Sequence, residues 1–118
     1  MNQRVLLYVE DEDAAVFLLE TALKEAEIDV ALYRVADGDE AMAFLKTGSP
    51  IDLVFFDIQM PGSMDGVELA RRIRVEYPSL PVILSSAHPR PETAAPFIAK
   101  PYRVERVIST ISQTLRLK

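Results

Sequence analysis

Residues 52–62 read Asp52-Leu53-Val54-Phe55-Phe56-Asp57-Ile58-Gln59-Met60-Pro61-Gly62, a short unbroken apolar run closed by an acid and then by a turn. A strand that is apolar at every position, not at every second one, is buried on both faces, as happens in parallel sheets sandwiched between helices. Val5-Leu6-Leu7-Tyr8-Val9 repeats the pattern and is closed in the same way by Glu10 and Asp11. Two such runs point to an α/β domain.

The rest of the chain fills in the alternation. Over 13–26 the apolar residues Ala15, Leu18, Leu19, Ala22, Leu23 and Ala26 recur at threes and fours, which predicts a helix with one buried face. A second strand is expected over 30–35, and Asp37 with Glu40 three residues later forms a capping box ahead of a short helix at 41–46. After the turn at Pro61, Gly62 and Gly66 a third helix runs to Tyr77, which precedes Pro78 and so leaves the helical region. Strand four is placed at 81–85 and a short strand five at 97–99, before a last helix lined by Val104, Val107, Ile108, Ile111 and Leu115. Strands alternating with helices imply a parallel sheet covered on both faces. One interval departs from the rhythm: 87–96 is short and holds Pro89, Pro91 and Pro96, so at most a turn or two of helix fits, starting near Pro91.

The totals exclude several classes. With 118 residues, 49% of them hydrophobic, one core and one domain over 1–118 are expected. No secretory signal opens the chain and no apolar run nears the roughly 20 residues of a membrane span, so a cytoplasmic protein without membrane association is expected. There is no Cys, which removes disulfides, thiolate metal sites and cysteine nucleophiles. A net charge of -5 with scattered Lys and Arg does not suit nucleic acid, so protein partners are expected.

In an open parallel sheet, ligands bind beyond the carboxyl ends of the strands, where the strand order reverses. Glu10 and Asp11 close strand one, Asp57 closes strand three, Ser86 follows strand four, and Lys100 follows strand five. Taken singly, each has an ordinary reading: acids after a strand cap helices or lie in a solvated turn, as Asp13 is expected to do, Asp57 suits a turn, and Ser86 and Lys100 suit solvated loops. Together they match one chemistry. Crowded carboxylates repel unless a cation lies between them, and an all-oxygen set suits Mg2+. A transferred phosphoryl group needs that cation, a fixed ammonium and a hydroxyl, and a carboxylate can be its nucleophile.

With Leu-Leu-Tyr-Val-Glu10-Asp11-Glu12, Val-Phe-Phe-Asp57-Ile-Gln-Met-Pro61-Gly, Met64-Asp65-Gly66-Val-Glu-Leu, Pro-Val-Ile-Leu-Ser-Ser86-Ala87 and Ala-Lys100-Pro101-Tyr102 in this order, residues 4–117 resemble the receiver domains of bacterial response regulators. The resemblance implies a flavodoxin-like three-layer sandwich with a five-stranded parallel sheet in the order 2-1-3-4-5. It implies Asp57 as phosphoacceptor, with Asp11 as direct Mg2+ ligand. Glu10 would act through a metal-bound water, and the backbone carbonyl of Gln59 would complete the protein ligands, beside Asp57 itself. Ser86 takes the place of the switch hydroxyl, Lys100 that of the paired lysine, and Phe97 that of the residue that rotates with the hydroxyl. Gln59 and the single histidine, His88, occupy positions that modulate the lifetime of the phosphate. The implied partners are a sensor histidine kinase or phosphotransfer protein and a downstream protein target, with the receiver a monomer or weak homodimer.

Two departures from the family stand out. Ser86 and Lys100 are 14 positions apart, shorter than the family norm by most of a fourth helix, and Pro61-Gly62-Ser63-Met64-Asp65 lengthens the loop over the acceptor by one residue. Both features resemble a subgroup with a reduced fourth helix. Phe97 lacks a hydroxyl, so its movement would be driven by packing. With no output domain within the 118 residues, a stand-alone receiver is expected, acting by docking or as a phosphate sink or relay. An aspartate-based phosphohydrolase would want a second carboxylate at position 59, where Gln59 stands, so this chain is expected to be a switch and not an enzyme beyond self-phosphorylation and self-dephosphorylation. A constitutive binding module would be expected to have lost acids or the lysine, and all are present.

Overall fold

The apolar runs become the strands of one parallel sheet in a computed structural model that describes residues 3–87 and 95–117. The strands are β1 (Arg4–Val9), β2 (Val30–Val35), β3 (Leu53–Asp57), β4 (Val82–Ser86) and β5 (Phe97–Ala99). They lie in the order β2-β1-β3-β4-β5, as the resemblance implies, so the chain reverses direction of travel across the sheet between β1 and β3. The register sets Val9 beside both Val35 and Phe56, and Asp57 beside Ser85.

Alternate residues of each strand feed two separate cores, the period-two rule applied to a sheet covered on both sides. Leu7, Val9, Val54, Phe56 and Leu84 pack on one side with α2 (Gly38–Lys46) and α3 (Gly66–Glu76). Leu6, Tyr8, Phe55, Ile83 and Ile98 pack on the other with α1 (Asp13–Glu25) and α4 (Val104–Thr114). Each fully buried Leu or Phe contributes about 2 kcal/mol, and the rings of Tyr8 and Phe55 stack at 5.1 Å. With both sides filled this tightly, the carboxyl ends of β1 and β3 have little room to move.

Several expectations need adjustment. Leu18 is 64% exposed and Ala26 is exposed, so the buried stripe of α1 is formed by Leu19 and Leu23 with Val16 at its margin. The α2 helix starts at Gly38, three residues before the expected start. Asp37 caps it, its Oδ1 accepting from Glu40 N at 2.9 Å, while the Glu40 carboxylate reaches back to Ala36 N. Such a cap stabilises a helix by about 1 kcal/mol. Strand β4 is one residue later than expected and includes Ser86. Among the described residues no helix lies between β4 and β5, and the turn expected near Pro91 falls outside the described residues. None of the described helices is long and apolar enough to cross a membrane.

Candidate functional site

The strand order brings the ends of β1 and β3 side by side at the centre of the sheet, and the residues just past each strand decide the chemistry there. Glu10 N donates to Val35 O at 2.8 Å, which carries the β1 pairing one residue past the strand before the chain turns into α1. Glu10, Asp11, Asp57, Gln59 and Lys100 line one cavity of about 110 Å³, with Glu12 and Pro61 among its other walls. Three of the four sequence-predicted strand ends therefore meet in one cavity.

Asp57, the last residue of β3, is held at both oxygens. Gln59 N donates to Oδ1 at 3.1 Å, and the Lys100 ammonium forms an ion pair with Oδ2. Burial alone would lower the Lys100 pKa, but the hydrogen bond and charge of Asp57 outweigh it and raise the group above its ordinary value. Lys100 follows β5, with its N–H bonded to Ser86 O at 2.8 Å, and the Lys100–Pro101 peptide bond is cis. Ser86 is the remaining strand end. It is buried and reaches the cavity through Gln59, donating from Oγ to Oε1 at 3.0 Å. Phe97 opens β5, half-buried against the core that holds Leu84. His88 lies outside the described residues.

The acidic side of the cavity fits a hard divalent cation. Carboxylate oxygens of Glu10, Asp11 and Glu12 lie within 4.8 Å of one another, and all are oxygen donors. The Glu10 pKa is raised, chiefly by burial and only partly offset by the Glu12 N–H that bonds its Oε2 at 3.0 Å, with the neighbouring acids adding to it. A carboxylate disfavoured in its charged form gains most from a cation.

Three contributors were missed from the sequence. Glu12 joins the acidic cluster through both its carboxylate and its N–H. Tyr8 sends its hydroxyl toward Glu10 Oε1 at 3.5 Å from within β1. Arg34, on β2, spans the loop after β1: Nε donates to Glu10 O at 2.7 Å, and Nη2 to Asp11 O and Asp13 Oδ1, both at 2.8 Å. Of the two readings of Asp13 the cap fails, since α1 has no side-chain cap; the residue opens α1 as a largely exposed ion-pair partner of Arg34. A lone charge at the carboxyl end of the otherwise apolar stretch Val30-Ala31-Leu32-Tyr33-Arg34-Val35 was the signal for Arg34.

The response regulator receiver domain pattern matches residues 6–112. The chain is 30% identical over 96% of its length to the DNA-binding transcriptional regulator NtrC of Salmonella typhimurium. It is 34% identical, again over 96% of its length, to the nitrogen assimilation regulatory protein NtrX of Azorhizobium caulinodans. It covers 25% of the first and 27% of the second, so it spans about a quarter of the length of these curated relatives. Among solved structures it is similar to a response regulator receiver protein from Sinorhizobium medicae, with a TM-score of 0.83 at 26% identity, covering 98% of this chain and 96% of that one.

Proposed function

The chain belongs to the response regulator receiver family, and from that premise we propose that it is an Mg2+-dependent switch that accepts one phosphoryl group on Asp57 from a phosphohistidine. The observation that carries this reading is the placement of Asp57: its carboxylate is fixed by Lys100 and Gln59 N–H in the same cavity as Glu10 and Asp11.

In the proposed reaction an Asp57 carboxylate oxygen attacks phosphorus. The P–O bond forms as the P–N bond of the phosphohistidine breaks, and the electron pair stays on the departing imidazole, which takes a proton from solvent. Lys100, kept protonated by its pairing, passes from the carboxylate to a phosphoryl oxygen as negative charge moves outward. Asp11, Asp57 and the Gln59 carbonyl would hold Mg2+, with Glu10 acting through water; when bound, the cation neutralises phosphoryl charge. Ser86 Oγ would exchange Gln59 Oε1 for a phosphoryl oxygen. Phe97, packed on the same core, would follow by repacking and so alter the surface near β5.

The phosphoryl donor is a sensor histidine kinase or a phosphotransfer protein, and the output is docking to a protein target or competition for phosphate. Phe17 and Leu18 support a protein partner, since they stand 67% and 64% exposed on α1. Apolar side chains grouped this way in solvent favour being covered.

Mg2+ and a small phosphodonor such as acetyl phosphate test the reading by intact mass. One phosphoryl group per chain is expected with Mg2+, and none once the cation is chelated. Uptake that ignores Mg2+, or that exceeds one group, counts against the site proposed.

A further inference from the structure

Arg34 makes three hydrogen bonds to three of four consecutive residues, and two of its acceptors are the backbone carbonyls of Glu10 and Asp11. Its Cα is paired with that of Tyr8, so its side chain leaves the sheet on the side of α1, where the loop after β1 turns. The planar guanidinium fork serves this task because its donors diverge at fixed angles, which a lysine ammonium cannot reproduce. With both carbonyls held, the Glu10–Asp11 and Asp11–Glu12 peptide planes lose their freedom to rotate, which fixes the directions in which the Glu10 and Asp11 side chains leave the backbone. Glu12 N–H and the Tyr8 hydroxyl hold the Glu10 carboxylate from the other end.

We propose that Arg34 is a positioning residue that holds Glu10 and Asp11 in the arrangement that receives the divalent cation. This rests on the receiver reading above and adds to it a residue on a strand that carries none of the other site groups. A competing effect has the opposite sign, because a guanidinium near a cation site repels the cation. Positioning outweighs it here. The Arg34 charge is already paired with Asp13, and the side chains are 33% and 92% exposed, so solvent and salt screen what remains. The two carbonyl bonds are local and are not screened away.

The test is direct Mg2+ titration of the whole chain, followed by amide NMR at Ile58 and Gln59 without any phosphodonor, alongside thermal unfolding. Arg34→Ala is expected to weaken Mg2+ binding about tenfold, as loss of a group orienting metal ligands does. Arg34→Lys is expected to recover little of it, and Asp13→Ala to stay within about twofold of wild type. Should Arg34→Ala unfold, Arg34→Gln keeps a donor and most of the length and is expected to fall between the two. Unchanged affinity with lowered stability would reduce Arg34 to a loop anchor and overturn the proposal. Tighter binding would overturn it too, by showing that charge repulsion dominates. Failure of the wild type itself to bind Mg2+ would instead overturn the receiver reading on which the proposal stands.

Discussion

Asp57→Asn is expected to take up no phosphoryl group under conditions that modify the wild type fully, while its amide spectrum stays that of a folded chain. The amide is isosteric with the carboxylate but cannot form the acyl phosphate, because it lacks the anionic oxygen that attacks phosphorus. The change also deprives Lys100 of its counter-ion. Because pairing raises the Lys100 pKa, the stability contributed by the pair is fully present below the ordinary lysine range and lost only as pH rises through the raised value. Asp57→Asn therefore removes it at neutral pH. The loss is small, since the Lys100 side chain is 37% exposed and its charge is screened. Intact mass and a denaturant titration on one preparation separate the two effects: chemistry abolished, stability slightly lowered.

Gly66→Ala is expected to be the most damaging single change to the fold near the site. A Cβ at Gly66 would lie 2.5 Å from Ile58 Cα, 2.6 Å from Asp57 O and 3.0 Å from Ile58 O. All three are backbone atoms of the segment that carries Asp57, so no side chain can swing aside to relieve the contact. Gly66 N also donates to Ile58 O at 2.8 Å, which ties the start of α3 to the same peptide. Accommodating one methyl group means pushing α3 off the end of β3, at a cost of about 3 kcal/mol. Urea denaturation should show a midpoint lowered accordingly. Phosphoryl uptake should slow in the fraction that remains folded, since Asp57 moves with Ile58.

Much of this arrangement was legible because its physics is local. An apolar run without alternation forces a strand with two buried faces, and β1 and β3 are such runs; their terminal acids could be read with them. Helix α1 was harder. Ala15, Leu18 and Ala22 fit threes and fours as well as Leu19, Leu23 and Ala26 do, and a sequence alone does not choose between overlapping stripes. The tertiary contacts chose Leu19 and Leu23 and left Leu18 in solvent. The early start of α2 was hidden because Gly38 reads as loop, whereas it is buried against Met64 of the lengthened loop. The strand order came from the family resemblance, since periodicity carries no information about which strands pair. Arg34 showed only as a lone charge on an otherwise apolar strand, and what it bonds stayed hidden. Its acceptors are backbone carbonyls more than twenty residues away, and backbone groups leave no trace in composition.

The measurement that bears most directly on the central claim is chemical trapping of the phosphorylated residue. Wild-type chain treated with Mg2+ and acetyl phosphate would be reduced with borohydride, which converts an aspartyl phosphate to homoserine, and its peptides mapped by mass. Homoserine at position 57 and at no other aspartate is the expected result. An unmodified Asp57, or homoserine at Asp11 in its place, would contradict the account.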